Sequence, residues 1–248
     1  MDKNNKKISP ARPTRFVSVA AKETPFAYVE AFKTLRTNLG FLSNVSGVKS
    51  VLITSALPEE SKSTTAINLA LTLASSGKSV VLIESDLRKP VLRKYLKREL
   101  GQAGLAAYLA GVVGLEDCIV ELKDLGISVI SAGVIPSNPS ELLNSERMRD
   151  LVETLKRNYD YVLLDAPPVT VVTDAAVVGR MTDGAILVVR SKFASARTIR
   201  QAKARLEAVG IRILGGVLTR FDLKKSGWRG GYDYKSYEYG YGQSRGRR

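Results

Sequence analysis

Between Val51 and Leu73 a short apolar run leads into a lysine-headed helical pattern, and this juncture constrains the fold more than any other segment of the chain. Ser50–Thr54 has the length and composition of a buried strand, and Lys62–Ser75 puts Ile67, Leu69, Ala70 and Leu73 inward on a helix closed by Gly77. The alternation then repeats. Strands are expected at Ser79–Glu84, Ile127–Ser131, Tyr161–Asp165, Gly184–Arg190 and Ile213–Thr219. Ahead of them, Thr24 as N-cap and Pro25 at the first helical position open a helix to about Leu42, with Phe32, Leu35 and Leu39 on one face. Short helical pieces fill residues 91–122. Asn138-Pro139-Ser140-Glu141 starts a helix that runs to about Asn158, and Ser195–Val209 forms another, stopped by Gly210. Strands alternating with helices predict an α/β fold: a mostly parallel, doubly wound sheet with helices on both faces. Ligands of such sheets bind at the carboxyl ends of the strands.

Composition narrows the chemistry. One cysteine, Cys118, and no histidine exclude an intramolecular disulfide, a Cys/His metal site and histidine acid–base catalysis. No stretch of 18 apolar residues is free of charge, and the basic N-terminus has no apolar run behind it. Neither a membrane span nor a secretory signal is therefore expected, and the predicted location is cytoplasmic. The formal charge is +14, of which residues 1–15 and 222–248 carry +4 each. The predicted organisation is a flexible basic arm (1–22), one folded domain (23–221) and a disordered Tyr/Gly-rich basic tail (222–248). The tail holds Tyr232, Tyr234, Tyr237, Tyr239 and Tyr241, half of the ten tyrosines.

The window Ala56-Leu57-Pro58-Glu59-Glu60-Ser61-Lys62-Ser63-Thr64 stands where a phosphate-binding P-loop would. The lysine, the following hydroxyl, the preceding strand and the following helix are present; Ala56 and Ser61 replace the two signature glycines. Glu84 and Asp86 end one strand and Asp165 ends another, so parallel strands bring all three carboxylates to the edge that carries the loop. Carboxylates facing a phosphate cradle imply a magnesium ion between them. The fold class is thus that of a P-loop NTPase.

At these residues the chain resembles the bacterial tyrosine kinases of capsule and exopolysaccharide assembly, over about residues 24–241. Ser55–Pro58 with Lys62–Ala66 and Asn68–Ala70 resembles the family's Walker A segment, and Glu84-Ser85-Asp86-Leu87-Arg88-Lys89-Pro90 its second acidic motif. Pro136–Leu143 resembles its linker to a long helix, and Tyr159–Pro168 its Walker B, followed by Thr173-Asp174-Ala175. The tyrosine cluster completes the set. The resemblance implies an ATP- and Mg2+-dependent protein-tyrosine kinase that phosphorylates its own tail. Lys62 would neutralise β/γ-phosphate charge, and loop amides of Glu60, Ser61, Lys62, Ser63 and Thr64 would bind phosphate. Ser63, Asp86 and Asp165 would hold the ion, and Glu84 would take the proton of an incoming tyrosine. The five tail tyrosines would be the acceptors, presented by a neighbour in a ring. Glu30, Lys33 and Arg36 match the family's subunit-contact motif, with lysine in place of one arginine. The implied partners are a membrane-anchored polysaccharide co-polymerase-type activator, which would hold the chain at the inner face of the membrane, tyrosine-bearing protein substrates and a phosphotyrosine phosphatase. No specific nucleic acid is implied.

Three departures fall on the chemistry. Glu59 and Ser61 stand where the family has glycine, and Glu84 where it has aspartate. A Cβ-bearing residue forced into the left-handed region costs roughly 1–2 kcal/mol. Glu59 adds repulsion on the order of 1 kcal/mol toward a polyphosphate. Together these predict nucleotide binding weakened by roughly 10–1000-fold. Two other readings follow: a degenerate scaffold or phosphoacceptor that binds nucleotide poorly, and a ParA/MinD-like ATPase with basic tails on DNA or membrane. The latter class carries a second lysine early in the loop, where this chain has Leu57.

Overall fold

The structure is a computed structural model that describes residues 16–221. Its elements run α1 (Phe26–Ser46), β1 (Ser50–Ser55), α2 (Lys62–Ala74), β2 (Val80–Glu84), α3 (Leu92–Leu96), α4 (Leu105–Leu109), β3 (Ile119–Leu122), β4 (Ile127–Ile130), α5 (Pro139–Leu143), α6 (Glu146–Asn158), β5 (Tyr161–Asp165), α7 (Asp174–Gly179), β6 (Gly184–Arg190), α8 (Ala196–Glu207) and β7 (Ile213–Thr219). Seven strands form one sheet in the order β3-β4-β2-β5-β1-β6-β7. Every pairing is parallel except β3 with β4.

The central strands are buried on both faces, which is why they read as unbroken apolar runs. Alternate residues of β1 feed two cores. Val51 and Ile53 pack with Ile67, Leu69, Ala70 and Leu73 of α2 and with Leu39 of α1. Leu52 packs on the opposite side with Leu143, Met148, Val152 and Leu206. Because β1, β2 and β5 are parallel and in register, Glu84 lies opposite Asp165 and Asp165 opposite Ile53. The carboxylates and the β1–α2 loop therefore share one edge.

Four details differ from the sequence reading. The helix expected from Asn138 to Asn158 is two helices, because Ser145 starts a second one: its hydroxyl accepts the Met148 amide at 3.3 Å. Helix α1 begins at Phe26 rather than Pro25, since the Thr24 hydroxyl donates to the Ser18 carbonyl instead of capping. It also runs to Ser46, where Gly47 ends it at φ 65°. The edge strand β3 lies within the stretch expected to be helical; it is four residues long with only Leu122 buried, too little pattern to announce itself.

Residues 16–22, expected in the arm, lie against the domain. Phe16 stacks on Tyr95 with ring centroids 5.4 Å apart. Asn68 donates to the Val17 carbonyl and accepts the Val19 amide, both at 2.8 Å. Residues 1–15 and 222–248, with the basic ends and the five tail tyrosines, lie outside the described residues. Among the described residues no helix is long and apolar enough to cross a membrane.

Gly104 and Gly133 pass so closely that a Cβ on Gly104 would sit 2.4 Å from the Gly133 nitrogen and 2.6 Å from the Ser131 carbonyl oxygen. The same approach lets the Leu105 amide reach the Ser131 carbonyl at 2.7 Å. Gly104→Ala must therefore move backbone. We expect it to lower stability by about 1–3 kcal/mol, read as a shifted urea midpoint.

Candidate active site

The β1–α2 loop has the backbone of a phosphate cradle. Glu59 (φ 64°) and Ser61 (φ 71°) both adopt the left-handed conformation that glycine would take without strain. The first helical bond of α2 runs from the Thr65 amide to the Ser61 carbonyl at 2.9 Å. The amides of Lys62, Ser63 and Thr64 precede it, so they need a partner from outside the helix, and the helix dipole favours an anion there.

Glu60 braces this loop from beneath. Its buried carboxylate accepts the Leu57 amide at 2.7 Å and the Arg190 amide at 3.2 Å. Its carbonyl accepts the Thr219 hydroxyl at 3.0 Å. Expected to contribute an amide, Glu60 also ties the loop to the ends of β6 and β7 through its side chain. Arg220, next along the chain, senses both Arg190 and Glu59. Burial and then the Arg190 charge pull its guanidinium below the usual range, and Glu59 works the other way. The extra loop charge thus has a cation nearby.

Lys62 joins the loop to the carboxylates. Its Nζ lies 3.0 Å from Asp86 Oδ2, 3.5 Å from Asp165 Oδ1 and 3.3 Å from the Ser63 hydroxyl. Burial, the largest influence on Lys62, favours the neutral amine. The Asp165 and Asp86 charges overcome it, so the ammonium is held above its ordinary range. Asp165 is fully buried, and neither carboxylate oxygen has a hydrogen-bond partner. Burial pushes its pKa up to about 6 against the opposing pull of Lys62. Meanwhile the Asp165 carbonyl accepts the Ser85 amide, the Asp86 amide and the Ser85 hydroxyl at 2.9, 3.1 and 2.8 Å. The two carboxylate-bearing strand ends are therefore locked together.

The carboxylate of Glu84, the expected proton acceptor, accepts three backbone amides: Val91 at 2.5 Å, Leu92 at 2.7 Å and Ala132 at 3.1 Å. The extra methylene relative to aspartate lets it reach the start of α3 and the end of β4. The buried side chain thereby braces both segments.

A second cluster has no counterpart in the sequence reading. Arg88, two residues past Asp86, donates from Nε to Asp174 Oδ2 at 2.7 Å and from Nη2 to Oδ1 at 3.2 Å. Ser140 joins at 2.6 Å from Asp174 Oδ1 and 2.8 Å from Arg88 Nη2. Asp174 is buried, and although burial alone would raise its pKa, Arg88 and Ser140 hold it below the usual carboxylate range. This clamp fastens the segment after β2 to the start of α7. The residues are 86 apart along the chain, so no local spacing could have shown it. Of the expected subunit-contact residues, Glu30 and Lys33 pair with each other at 2.7 Å, and Arg36 donates to the Thr72 carbonyl at 3.2 Å.

A family model described as an AAA domain matches residues 60–212. The tyrosine-protein kinase YwqD of Bacillus subtilis is 36% identical over 217 residues, covering 88% of this chain and 91% of that protein. The kinase domain of the Escherichia coli tyrosine kinase ETK superposes with a TM-score of 0.77 at 34% identity, covering 89% of this chain and 87% of that one. The chain belongs to the bacterial tyrosine kinases. As a member of that family it shares its fold, but only its fold, with the MinD protein of Pyrococcus horikoshii, solved with Mg-ADP, at 24% identity and a TM-score of 0.60.

The residues of this bacterial tyrosine kinase fit a magnesium–nucleotide pair. Among the described residues no three Asp, Glu, Cys or His side chains converge on one point. An ion here would take two carboxylates, Asp86 and Asp165, and the Ser63 hydroxyl, leaving positions for phosphate oxygens and water. The unpartnered Asp165 carboxylate is the group such an ion would satisfy.

The raised pKa of Asp165 also has a sign. Its contribution to folding is most favourable below about pH 4, and is lost as pH rises through about 6. Asp165→Asn removes that penalty. We expect the nucleotide-free variant to gain roughly 1–3 kcal/mol at pH 8 and little at pH 4, while losing magnesium-dependent nucleotide binding. Denaturation at the two pH values, with nucleotide titration at the higher, checks both halves.

Proposed function

We propose that this chain is an ATP- and magnesium-dependent protein-tyrosine kinase whose acceptors include its own tail tyrosines, Tyr232, Tyr234, Tyr237, Tyr239 and Tyr241. The observation that supports it best is the buried Lys62–Asp86–Asp165 cluster directly beside three amides at the start of α2. A polyphosphate on those amides would draw Lys62 away from the carboxylates. The ion would then neutralise charge on the transferred group. The tyrosine oxygen attacks the γ-phosphorus, the bond to the β–γ bridging oxygen breaks, and ADP leaves with its electrons. Glu84 is the carboxylate assigned to receive the tyrosine proton, which requires it to leave the Val91, Leu92 and Ala132 amides, while Asp86 and Asp165 stay with the ion.

The same reading places the chain in capsule or exopolysaccharide synthesis, at the inner face of the membrane through a membrane-anchored activator. It assembles there as a ring whose contacts involve Glu30, Lys33 and Arg36, and a phosphatase resets it. Lys33 and Arg36 already have partners within the chain, so ring contacts would have to exchange them. Leu57 is apolar and packed on the core beneath the loop, which leaves no second lysine for a ParA-like mechanism.

The degenerate loop weighs less against catalysis than the sequence alone suggests. Glu59 and Ser61 both reach the left-handed conformation that glycine would take in such a loop. Glu59 is exposed and offset by Arg220. Restoring glycine at both positions is expected to stabilise the protein by about 2–4 kcal/mol, about 1–2 at each, and to tighten Mg-ATP by less than about tenfold. Thermal midpoints and calorimetric titration measure the two effects.

Activity itself is tested with saturating Mg-ATP and the activator's cytoplasmic segment. Tail phosphotyrosine is expected in the native chain and a loss of about 100-fold or more in Asp86→Asn. A native chain that binds Mg-ATP yet forms no phosphotyrosine would overturn the kinase reading.

A further inference from the structure

The formal charge of +14 is not spread over the molecule. Residues 1–15 and 222–248 carry +4 each, and residues 88–98 hold Arg88, Lys89, Arg93, Lys94, Lys97 and Arg98 with no acid. These three segments account for all of the net charge, and the remainder of the chain has as many acids as bases. They are far apart in sequence, yet the fold brings their borders together. Residues 1–15 precede Phe16, whose ring stacks on Tyr95 of α3 with centroids 5.4 Å apart. Residues 222–248 follow Arg220 and Phe221. The Arg220 guanidinium, held down by burial and by Arg190, also feels Glu59 and Tyr95. Tyr95 itself stands inside the 88–98 run.

Most cations of this face are unclaimed within the chain. Lys89, Lys94 and Lys97 are exposed and make no ion pair among the described residues. Arg93 and Arg98 pair with the exposed Glu99 and Asp124, and pairs so open to water are weak. Across a cleft from Arg93 and Lys94 stand Val134, 70% exposed, and Ile135, 58% exposed. Bare aliphatic side chains beside lysines suit the headgroup boundary of a bilayer, where cations meet lipid phosphate and aliphatics meet acyl chain. A nucleic acid would supply the phosphate but nothing for Val134 and Ile135. The sequence past Arg220 continues the pattern. Lys224, Lys225 and Arg229 flank Trp228, the only tryptophan, and tryptophan favours the membrane–water interface.

We propose that the face around α3 binds the anionic phospholipids of a membrane surface directly, with the two basic end segments adding to its charge. Lys89, Lys94 and Lys97 approach lipid phosphates, and Val134 and Ile135 enter the headgroup layer. Each cation brought to an anionic leaflet strengthens binding roughly fivefold, so a handful of lysines is enough to hold the chain there. The face lies at the carboxyl end of the sheet, since α3 follows β2 and Val134 and Ile135 follow β4. It therefore shares that end with the β1–α2 loop. This contact is made by the chain itself and requires neither a membrane-anchored activator nor catalysis.

The test uses the full chain, without activator, and two sets of vesicles: phosphatidylcholine alone, and phosphatidylcholine with phosphatidylglycerol in equal parts. Co-sedimentation should show binding to the anionic vesicles tighter by roughly tenfold or more, weakening as salt rises. Trp228 emission should move to shorter wavelength on the anionic vesicles only. Lys94→Glu with Lys97→Glu should weaken vesicle binding by roughly tenfold or more and leave Mg-ATP affinity within about twofold. Arg197→Glu with Arg200→Glu makes the same change of net charge on α8, whose Ala202 and Leu206 pack in the core on the other side of the sheet from Leu92 and Leu96. That pair should leave vesicle binding within about threefold. Equal losses from the two pairs would assign binding to overall charge and overturn the face. No preference for anionic vesicles, or retention by duplex DNA at the same salt without vesicle binding, would overturn the lipid assignment. The vesicle comparison needs no altered protein, so misfolding of a variant leaves the proposal testable.

Discussion

A fully buried carboxylate with an ammonium beside it but no hydrogen-bond partner is the constraint on which the site depends. Asp165 ends the central strand β5, where parallel pairing with β1 and β2 brings it against Lys62 and beside Asp86. An isolated charge there would be costly, and the chain meets the cost in two ways. It raises the pKa to about 6, and it lays the Lys62 ammonium 3.5 Å away. Neither satisfies the oxygens. On the proposed reading, those oxygens would take a cation in place of Lys62 once phosphate draws the lysine off.

The surrounding contacts keep that arrangement rigid. The Asp165 carbonyl gathers Ser85 and Asp86, Glu84 holds the start of α3, and Arg88 reaches Asp174. On the other flank, Glu60 ties the phosphate loop to β6 and β7. The tail follows Thr219 and Arg220 in the sequence, so the β1–α2 loop is hydrogen-bonded to the strand that precedes the tail tyrosines. Two non-glycine residues in left-handed backbone are tolerated because this bracing over-determines the loop.

The strand runs at 50–55, 80–84, 161–165 and 184–190 were legible because doubly buried strands are uninterrupted in hydrophobicity, and their ends placed Lys62, Asp86 and Asp165 together. The family was legible from the same motifs. Three things were not. Ser145 was hidden inside a continuous helical pattern, since a capping serine looks like any polar helix residue until its hydroxyl is seen on Met148. Glu84 was read from position alone, and position cannot say whether a carboxylate faces phosphate or backbone amides. The Arg88–Asp174–Ser140 clamp depends on tertiary closure between distant segments, which leaves no periodic trace.

The central claim is that Asp165 exchanges a proton, and the company of Lys62, for a nucleotide-bound magnesium ion. Calorimetry of Mg-ATP binding in buffers of different ionisation enthalpy counts the protons released. With a carboxyl pKa of about 6, binding should release most of one proton near pH 5, about half near pH 6 and almost none at pH 8. Binding with no proton release anywhere between pH 5 and 8 would contradict the account.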